Sequence, residues 1–410
     1  MCTPPHTYEP IMVNTGKSLG LKRPRSKTKV FLLFLLIGLF VRNACRLPAS
    51  TLLLSSTVTI ASNRPQILDD GALMHMIKTR IMQHQSHLHH LARARLELFK
   101  TFCLPSMIHQ TTTSFAWIIS VDPALEGDIL SEMVQLLQPY PHFYLSLTTD
   151  NLKPGSGRHG IGEDILTGDT HVLRINLNNM ENLAVLETQL DADDALHIQY
   201  IEKLQQSANS YFFQQRNGPD WMYWCIHQDV EWHWIFRASS DAADGFLRPS
   251  RSFVKKQKCY TPGMTLGVKN GNARADVLDV PHSALVSELK TSQKTCGSIH
   301  KGMDCIHFID TLEFPALRTR TPTSASMVGV SVQADSFVTD DDINEQLRDK
   351  VSLSFATKRE EVRCVHQYFS DHMAEILQDA VQGQCSHGHS CREEAKASLE
   401  SFLKLYTSHL

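Results

Sequence analysis

Residues 115–121 read FAWIISV, seven residues with one hydroxyl and no charge, stopped abruptly by Asp122-Pro123. A strand apolar on both faces has no side to turn to water, so this run predicts a strand buried in a largely parallel sheet with helices above and below it. The flanking segments agree. Residues 75–81, HMIKTRI, alternate in strand fashion, and 142–147, HFYLSL, read as a third strand. Between them, residues 93–109 set Leu96, Phe99, Cys103, Leu104 and Met107 on one helical face, and 125–137 are amphipathic at helical spacing. Strand, helix, strand, helix, strand predicts a doubly wound α/β sheet, whose ligands bind beyond the carboxyl ends of the strands. Another strand is expected at 172–177, VLRINL. Residues 221–234, WMYWCIHQDVEWHW, are expected as one strand or a hairpin, and 359–380 and 392–405 as C-terminal amphipathic helices.

The densest chemistry lies at 187–205, ETQLDADDALHIQYIEKLQ, where the short run VLETQL (185–190) ends in three carboxylates, Asp191, Asp193 and Asp194. A helix is expected next, with Leu196, Tyr200, Ile201 and Leu204 on one face. Clustered carboxylates repel one another unless a cation neutralises them. Mg²⁺ or Mn²⁺ suits such a site, because a hard ion takes one or two carboxylates together with substrate phosphates. The other reading is electrostatic only, since acids at a helix start gain about 0.3–1 kcal/mol from the helix dipole. Spacing alone leaves both open.

Charge and cysteine frame the rest of the chain. The 410 residues carry a formal net charge of −3, which argues against a general nucleic-acid binder, and 42% apolar residues are ample for a core. Lys17, Lys22, Arg23, Arg25, Lys27 and Lys29 precede a 12-residue apolar run at 30–41, VFLLFLLIGLFV. The run is shorter than the ~20 residues of a full span, and with its basic flank it has the shape of a signal anchor or a cleaved secretory signal. We therefore expect a basic cytoplasmic tail (1–29), a signal anchor (30–46), a stem (47–72), a main domain (73–356) and a helical extension (357–410). The main domain then faces the lumen of the Golgi or endoplasmic reticulum as a single-pass type II protein, or is secreted. Eight of the ten cysteines lie in that lumenal part. Cys385 and Cys391, which enclose SHGHS, are expected to close a local disulfide, with a metal site through His387 and His389 as the alternative.

LPSMIHQTTTSFAWIISVD (104–122) resembles the block of family 2-type glycosyltransferases in which a helix ending in S-L-x-x-Q-T leads into a strand ending in Asp, and LDADDAL resembles their D-A-D-D motif. A closer likeness is to the rhamnosyltransferase family. It pairs a T-R-F-like first strand, here Lys78-Thr79-Arg80-Ile81, with an L-F-x-x-F-C-L-P-S helix, here residues 98–106, and then an acid cluster. The likeness covers residues 75–205, with CYTPGMTLGV (259–268) and RTRTPTSASM (318–327) as less specific blocks. It implies a GT-A-like mixed sheet with C-terminal helices. It also implies transfer of a sugar from a nucleotide-diphosphate donor to a glycan or glycoconjugate acceptor, with Mn²⁺ or Mg²⁺. By the same likeness Asp122 contacts the nucleotide base, Arg80 lies near the nucleotide, and Asp191 and Asp193, with Asp194 alongside, hold metal and diphosphate.

Arg318 and Arg320 add guanidiniums whose forks match phosphate oxygens. The E-D base motif of family 2 enzymes is missing. Asp229 and Glu231, beside the tryptophans, are the candidates for the carboxylate that deprotonates an acceptor hydroxyl. Trp221, Trp224, Trp232 and Trp234 suit either sugar stacking or core packing. His84, His87, His89 and His90 read as a solvated loop. Two other functions compete: a non-catalytic carbohydrate-binding protein on the same scaffold, and a phosphoryl-transfer enzyme. The second is disfavoured because Asp191-Ala192-Asp193-Asp194-Ala195 lacks the fifth-position hydroxyl or β-branched residue of D-x-D-x-[TV] phosphatases.

Overall fold

The computed structural model describes residues 73–150, 161–234, 244–249, 259–270, 277–278, 280–321, 324, 341–383, 396–397, 399–401 and 404. The chain falls into two units, Met1–Thr57 and Val58–Leu410, and every described residue lies in the second. The basic tail, the 30–41 run, the stem, the Cys385–Cys391 loop and most of 392–405 lie outside the described residues. Among those described, no helix is long and apolar enough to cross a membrane.

The expected opening strands form β1 (Leu73–Ile81), β2 (Ala116–Val121) and β3 (Phe143–Leu147), followed by a short β4 (Asp164–Ile165) and by β5 (Ala184–Gln189). A two-residue β6 (Ala195–Leu196), β7 (Trp221–Cys225), β8 (Val230–His233), β9 (Phe246–Pro249), β10 (Thr265–Val268), β11 (Ile306–Phe308) and β12 (Ala316–Arg320) complete the strands. Eight of them make one sheet in the order β11-β7-β10-β5-β1-β2-β3-β4. β1 runs parallel to β2 and β5, and β2 to β3, whereas β10 is antiparallel to both β5 and β7. A second sheet has the order β6-β12-β8-β9. The architecture is a mixed α/β fold.

β2 shows why the central strands are apolar throughout. Trp117, Ile119 and Val121 enter one core, Ala116 and Ile118 the other, and all are buried. The first core is roofed by α1 (His89–Leu98), which continues through a wide π turn (Phe99–Cys103) into a last α turn (Leu104–Ile108). Pro105 accounts for the widening, because its ring has no N–H and clashes with the carbonyl four residues back in regular α geometry. On the same side lie α2 (Gly127–Leu137), which packs on β3, and α4 (Tyr200–Asn209). The other core takes Leu173 of α3 (Thr170–Asn179) and Leu285 and Leu289 of α5 (His282–Ser292). α6 (Asp341–Phe355) and α7 (Arg359–Gly383) follow. α7 packs against α1 through Phe369, Met373, Ile376 and Leu377, which belong to the first core, so the C-terminal helix is part of the main domain. Asp379 accepts the Leu91 N–H at 3.1 Å.

Three expectations are corrected. Residues 172–177 are helical, because Asp169 caps α3 by accepting the N–H groups of His171 and Val172, and Ile175 is left exposed. The tryptophan-rich stretch is neither one strand nor a hairpin. β7 joins the large sheet and β8 the small one, each paired with strands from later in the chain. Leu196 is in β6, ahead of the helix to which it was assigned.

At the centre of the sheet Lys78 donates to Glu187 at 2.8 Å, with 2% and 3% of their side chains exposed. Removing one partner strands a buried charge, at a cost of about 3–5 kcal/mol, whereas replacing both with apolar residues of similar volume is close to neutral. Lys78→Met is therefore expected to lower unfolding stability by that amount in a denaturant titration, and Lys78→Met with Glu187→Leu to recover most of it. Equal losses in both would contradict a paired buried charge.

Candidate active site

A cavity of about 540 Å³ opens beyond the carboxyl ends of β1 and β5, where an α/β sheet receives its ligand. Arg80, at the end of β1, and the following turn with Gln83, His84 and Gln85 form one wall. α1 contributes Arg95 and Leu98, and β5 runs out into Asp191, Ala192, Asp193 and Asp194. Arg318, Thr319 and Arg320 of β12 close the opposite side, with Thr261 from the loop before β10 and His282 at the start of α5.

The three acids play different parts. Asp194 is buried, and its Oδ1 accepts the Thr319 N–H at 2.9 Å, tying the acidic turn to β12. Burial first, then Asp193 and Asp191, push its carboxyl well above the usual range, opposed by Arg318 and the Thr319 N–H. Asp191 and Asp193 are half-buried on the cavity wall. Burial and the Asp193 charge raise the Asp191 carboxyl, while Arg80, Arg318 and His282 pull it back. Among the described residues, no set of three His, Cys, Asp or Glu side chains converges as metal ligands. Asp191 and Asp193 on the cavity wall are the carboxylates that could hold a divalent ion, with its other positions taken by ligand oxygens. That fits Mn²⁺ or Mg²⁺ bound together with a diphosphate.

Four arginines line the same space. Arg318 lies 5.0 Å over the Tyr260 ring, with Nη1 3.4 Å from Asp229 Oδ2, and Arg320 donates twice to Glu231 Oε1, at 2.9 and 2.6 Å. Arg95 donates to Gln85 Oε1 at 2.9 Å. Burial lowers its guanidinium pKa and the charges of Asp193 and Asp191 raise it.

Residues 86–219 match the family described as "Putative rhamnosyl transferase". Over that segment, about a third of the chain, the sequence is similar to this family. The matched segment carries α1, strands β2 to β5 and all three acids, and β1 with Arg80 lies before it. No curated protein sequence matches the chain. Among solved structures, the crystal structure of S. aureus TarS aligns at 12% identity and a TM-score of 0.25, over 82% of this chain and 53% of that one. TarS 1–349 aligns at 11% and 0.27, over 82% and 92%. The chain thus spans about half the length of the longer TarS chain, and both likenesses are too distant to bear on chemistry.

The cavity gathers Arg80, Asp191, Asp193, Asp194, Arg318 and Arg320 from the residues marked in the sequence, and leaves three aside. Asp122 sits behind the wall, where Oδ2 accepts the His84 N–H at 3.0 Å and Oδ1 the Ala124 N–H at 2.9 Å, so it shapes the turn that carries Gln83 and His84. Asp229 is buried against Arg318. Glu231 is enclosed by Arg320, Arg248 (3.0 and 2.9 Å) and His233 (3.2 Å). Burial alone would raise its carboxyl, but the hydrogen bond to His233 and the charge and hydrogen bonds of Arg320 and Arg248 hold it far below the usual range. A carboxylate so held is a poor proton acceptor, and its place is behind Arg320. Trp221, Trp224, Trp232 and Trp234 are all buried in the core. His89 of the histidine-rich loop meets Glu126 at the surface, 3.1 Å away.

Arg95 and His282 are cavity-lining residues that sequence reading missed. Arg95 left a signal, since with Leu91 and Leu98 it falls on the core-facing stripe of its helix, where an arginine needs a partner. His282 left none that local pattern supplies.

The Glu231 network has a pH signature. A carboxyl lowered in the folded state contributes stability fully above its unfolded pKa of about 4.3, and loses it as pH falls towards the folded value. Glu231→Gln is expected to melt below wild type by a constant margin from neutral pH to about 5, and the margin to shrink below about 4. Thermal melts of both proteins across this range test it. A margin independent of pH would show that Glu231 is not held ionised by these cations.

Proposed function

We propose that the cavity binds a nucleotide-diphosphate sugar with Mn²⁺ or Mg²⁺ and transfers the sugar to a hydroxyl of a glycan or glycoconjugate. The observation that carries this reading is the pairing of Asp191 and Asp193 with Arg80, Arg95 and Arg318 around one cavity at the carboxyl end of the sheet. Carboxylates alone would suit a cation and guanidiniums alone an anion, and the two together suit a metal-bound diphosphate. Asp191 and Asp193 would hold the ion, which as a Lewis acid offsets charge on the departing diphosphate. Arg80, Arg95 and Arg318 would grip the diphosphate oxygens, and Asp194 would keep the acidic turn in register with β12. Arg320, bound to Glu231, fixes the rim beside Arg318. Fixing donor and acceptor together removes most of the entropic cost of their encounter.

Asp193→Asn removes one of three repelling charges, so the fold should melt at or above the wild-type temperature. Turnover of a nucleotide sugar should nevertheless fall about 10²–10³-fold, the loss typical of one well-placed electrostatic group. Chelation should do the same to wild type, and Mn²⁺ or Mg²⁺ should restore wild type only. Full turnover by the Asn variant, or by chelated wild type, would reduce the acids to a helix-start motif.

We also place this domain on the lumenal side of the secretory pathway. Disulfides Cys225–Cys259 and Cys296–Cys305 support that reading, since such bonds persist in oxidising compartments. Protease should leave the domain intact in sealed microsomes and digest it once detergent is added. Digestion without detergent would reject the lumenal placement.

A further inference from the structure

Transfer to a hydroxyl needs a group that takes its proton as the new bond forms. Among the described residues lining the cavity, only the three acids, His84 and His282 can accept a proton. Asp194 is bonded to Thr319, and Asp191 and Asp193 face the metal and diphosphate in the reading above, on which this inference rests. His84 belongs to the turn after β1, where its N–H is bonded to Asp122. His282 lines the cavity from the first position of α5.

Its geometry fixes its chemistry. His282 Nδ1 lies 3.2 Å from the Cys259 carbonyl oxygen. A carbonyl only accepts, so Nδ1 carries the hydrogen and the neutral ring keeps its lone pair on Nε2. The carbonyl is itself held in place, since Cys259 is disulfide-bonded to Cys225 at the end of β7. Asp191, Arg80 of β1 and Arg318 of β12 line the same cavity.

We propose that His282 is the general base of the transfer. Nε2 takes the hydroxyl proton while the acceptor oxygen bonds to the anomeric carbon. The bond from that carbon to the diphosphate oxygen breaks, and its electron pair leaves with the diphosphate. The Cys259 carbonyl then stabilises the imidazolium through Nδ1–H. Glu231 and Asp229 are excluded from this role by the arginines that hold them.

His282→Asn keeps an N–H for the Cys259 carbonyl and has nothing in place of Nε2. With UDP-, GDP- and dTDP-linked hexoses as donors and water as the acceptor probe, kcat should fall about 10²–10⁴-fold. Donor affinity by calorimetry, Mn²⁺ affinity and melting temperature should stay at wild-type values, and added imidazole should restore part of the rate to His282→Ala. Wild-type kcat in the Asn variant would overturn the proposal. So would a parallel fall in Mn²⁺ affinity, which would make His282 a metal ligand. A wild type that binds and hydrolyses none of the donors would overturn the donor-site reading and this one together, an outcome distinct from selective failure of the variant test.

Discussion

Mutual repulsion within the turn from Asp191 to Asp194 is the constraint that the surrounding structure meets from several directions. Three carboxyls within four residues, at a point half shielded from water, would tend to drive the turn apart. The Asp194 N–H donates to the Asp191 carbonyl at 3.1 Å, and Asp194 Oδ1 takes the Thr319 N–H, so the turn is closed by its own backbone and by a strand that arrives 125 residues later. Arg80 and Arg318 bring opposite charge to Asp191, and Arg95 brings it to both Asp191 and Asp193. The second sheet exists in this position because β12 pairs with β6 on one side and β8 on the other, which sets Arg318 and Arg320 opposite the acids.

That arrangement also explains why Asp229 and Glu231 are not cavity residues. On β12 the register sets Arg318 opposite Glu231 and Arg320 opposite His233 on the parallel strand β8. Glu231 answers Arg320 and, from β9, Arg248, while Asp229 answers Arg318. An arginine whose fork is already bonded at its far side loses little further freedom when a phosphate arrives, so these carboxylates act by orienting the guanidiniums.

The parts of the fold written in local pattern were legible, and the parts decided by distant pairing were not. The run 115–121 announces a strand buried on both faces because every residue in it must be inside. The acids at 191–194 announce a strand end because nothing else tolerates them there. VLRINL misleads because its apolar residues suit a strand as readily as one turn of helix, and the deciding signal is the capping Asp169 just before it. The tryptophan-rich stretch misleads for a different reason. β7 is apolar on both faces and β8 alternates with Glu231 and His233, and their sorting into two sheets depends on β10, β11 and β12, which lie far ahead in the chain. Glu231 looked like a base for the same reason, since the arginine that disables it is 89 residues away.

Preorganisation links these observations to chemistry. The loop that carries Thr261 and the Cys259 carbonyl is restrained at several points. Cys259 is bonded to Cys225, and the Tyr200 hydroxyl donates to the Gly263 carbonyl at 2.6 Å, as does Thr265 Oγ1 at 3.0 Å. Gly263 has φ +80°, and a Cβ there would lie 2.9 Å from the Tyr200 ring, so both backbone conformation and space require glycine. Thr265 Oγ1 also meets Thr188 Oγ1 at 2.6 Å, and Thr188 meets the buried His75, whose pKa burial drives down to about 3, so the ring stays neutral and serves as a hydrogen-bonding strut. Dipoles aimed at a reacting centre accelerate a reaction to the extent that they need not move when charge develops. Here the reorganisation is completed during folding, through bonds in the sheet and its adjoining loop, and the cavity walls meet their ligand already fixed.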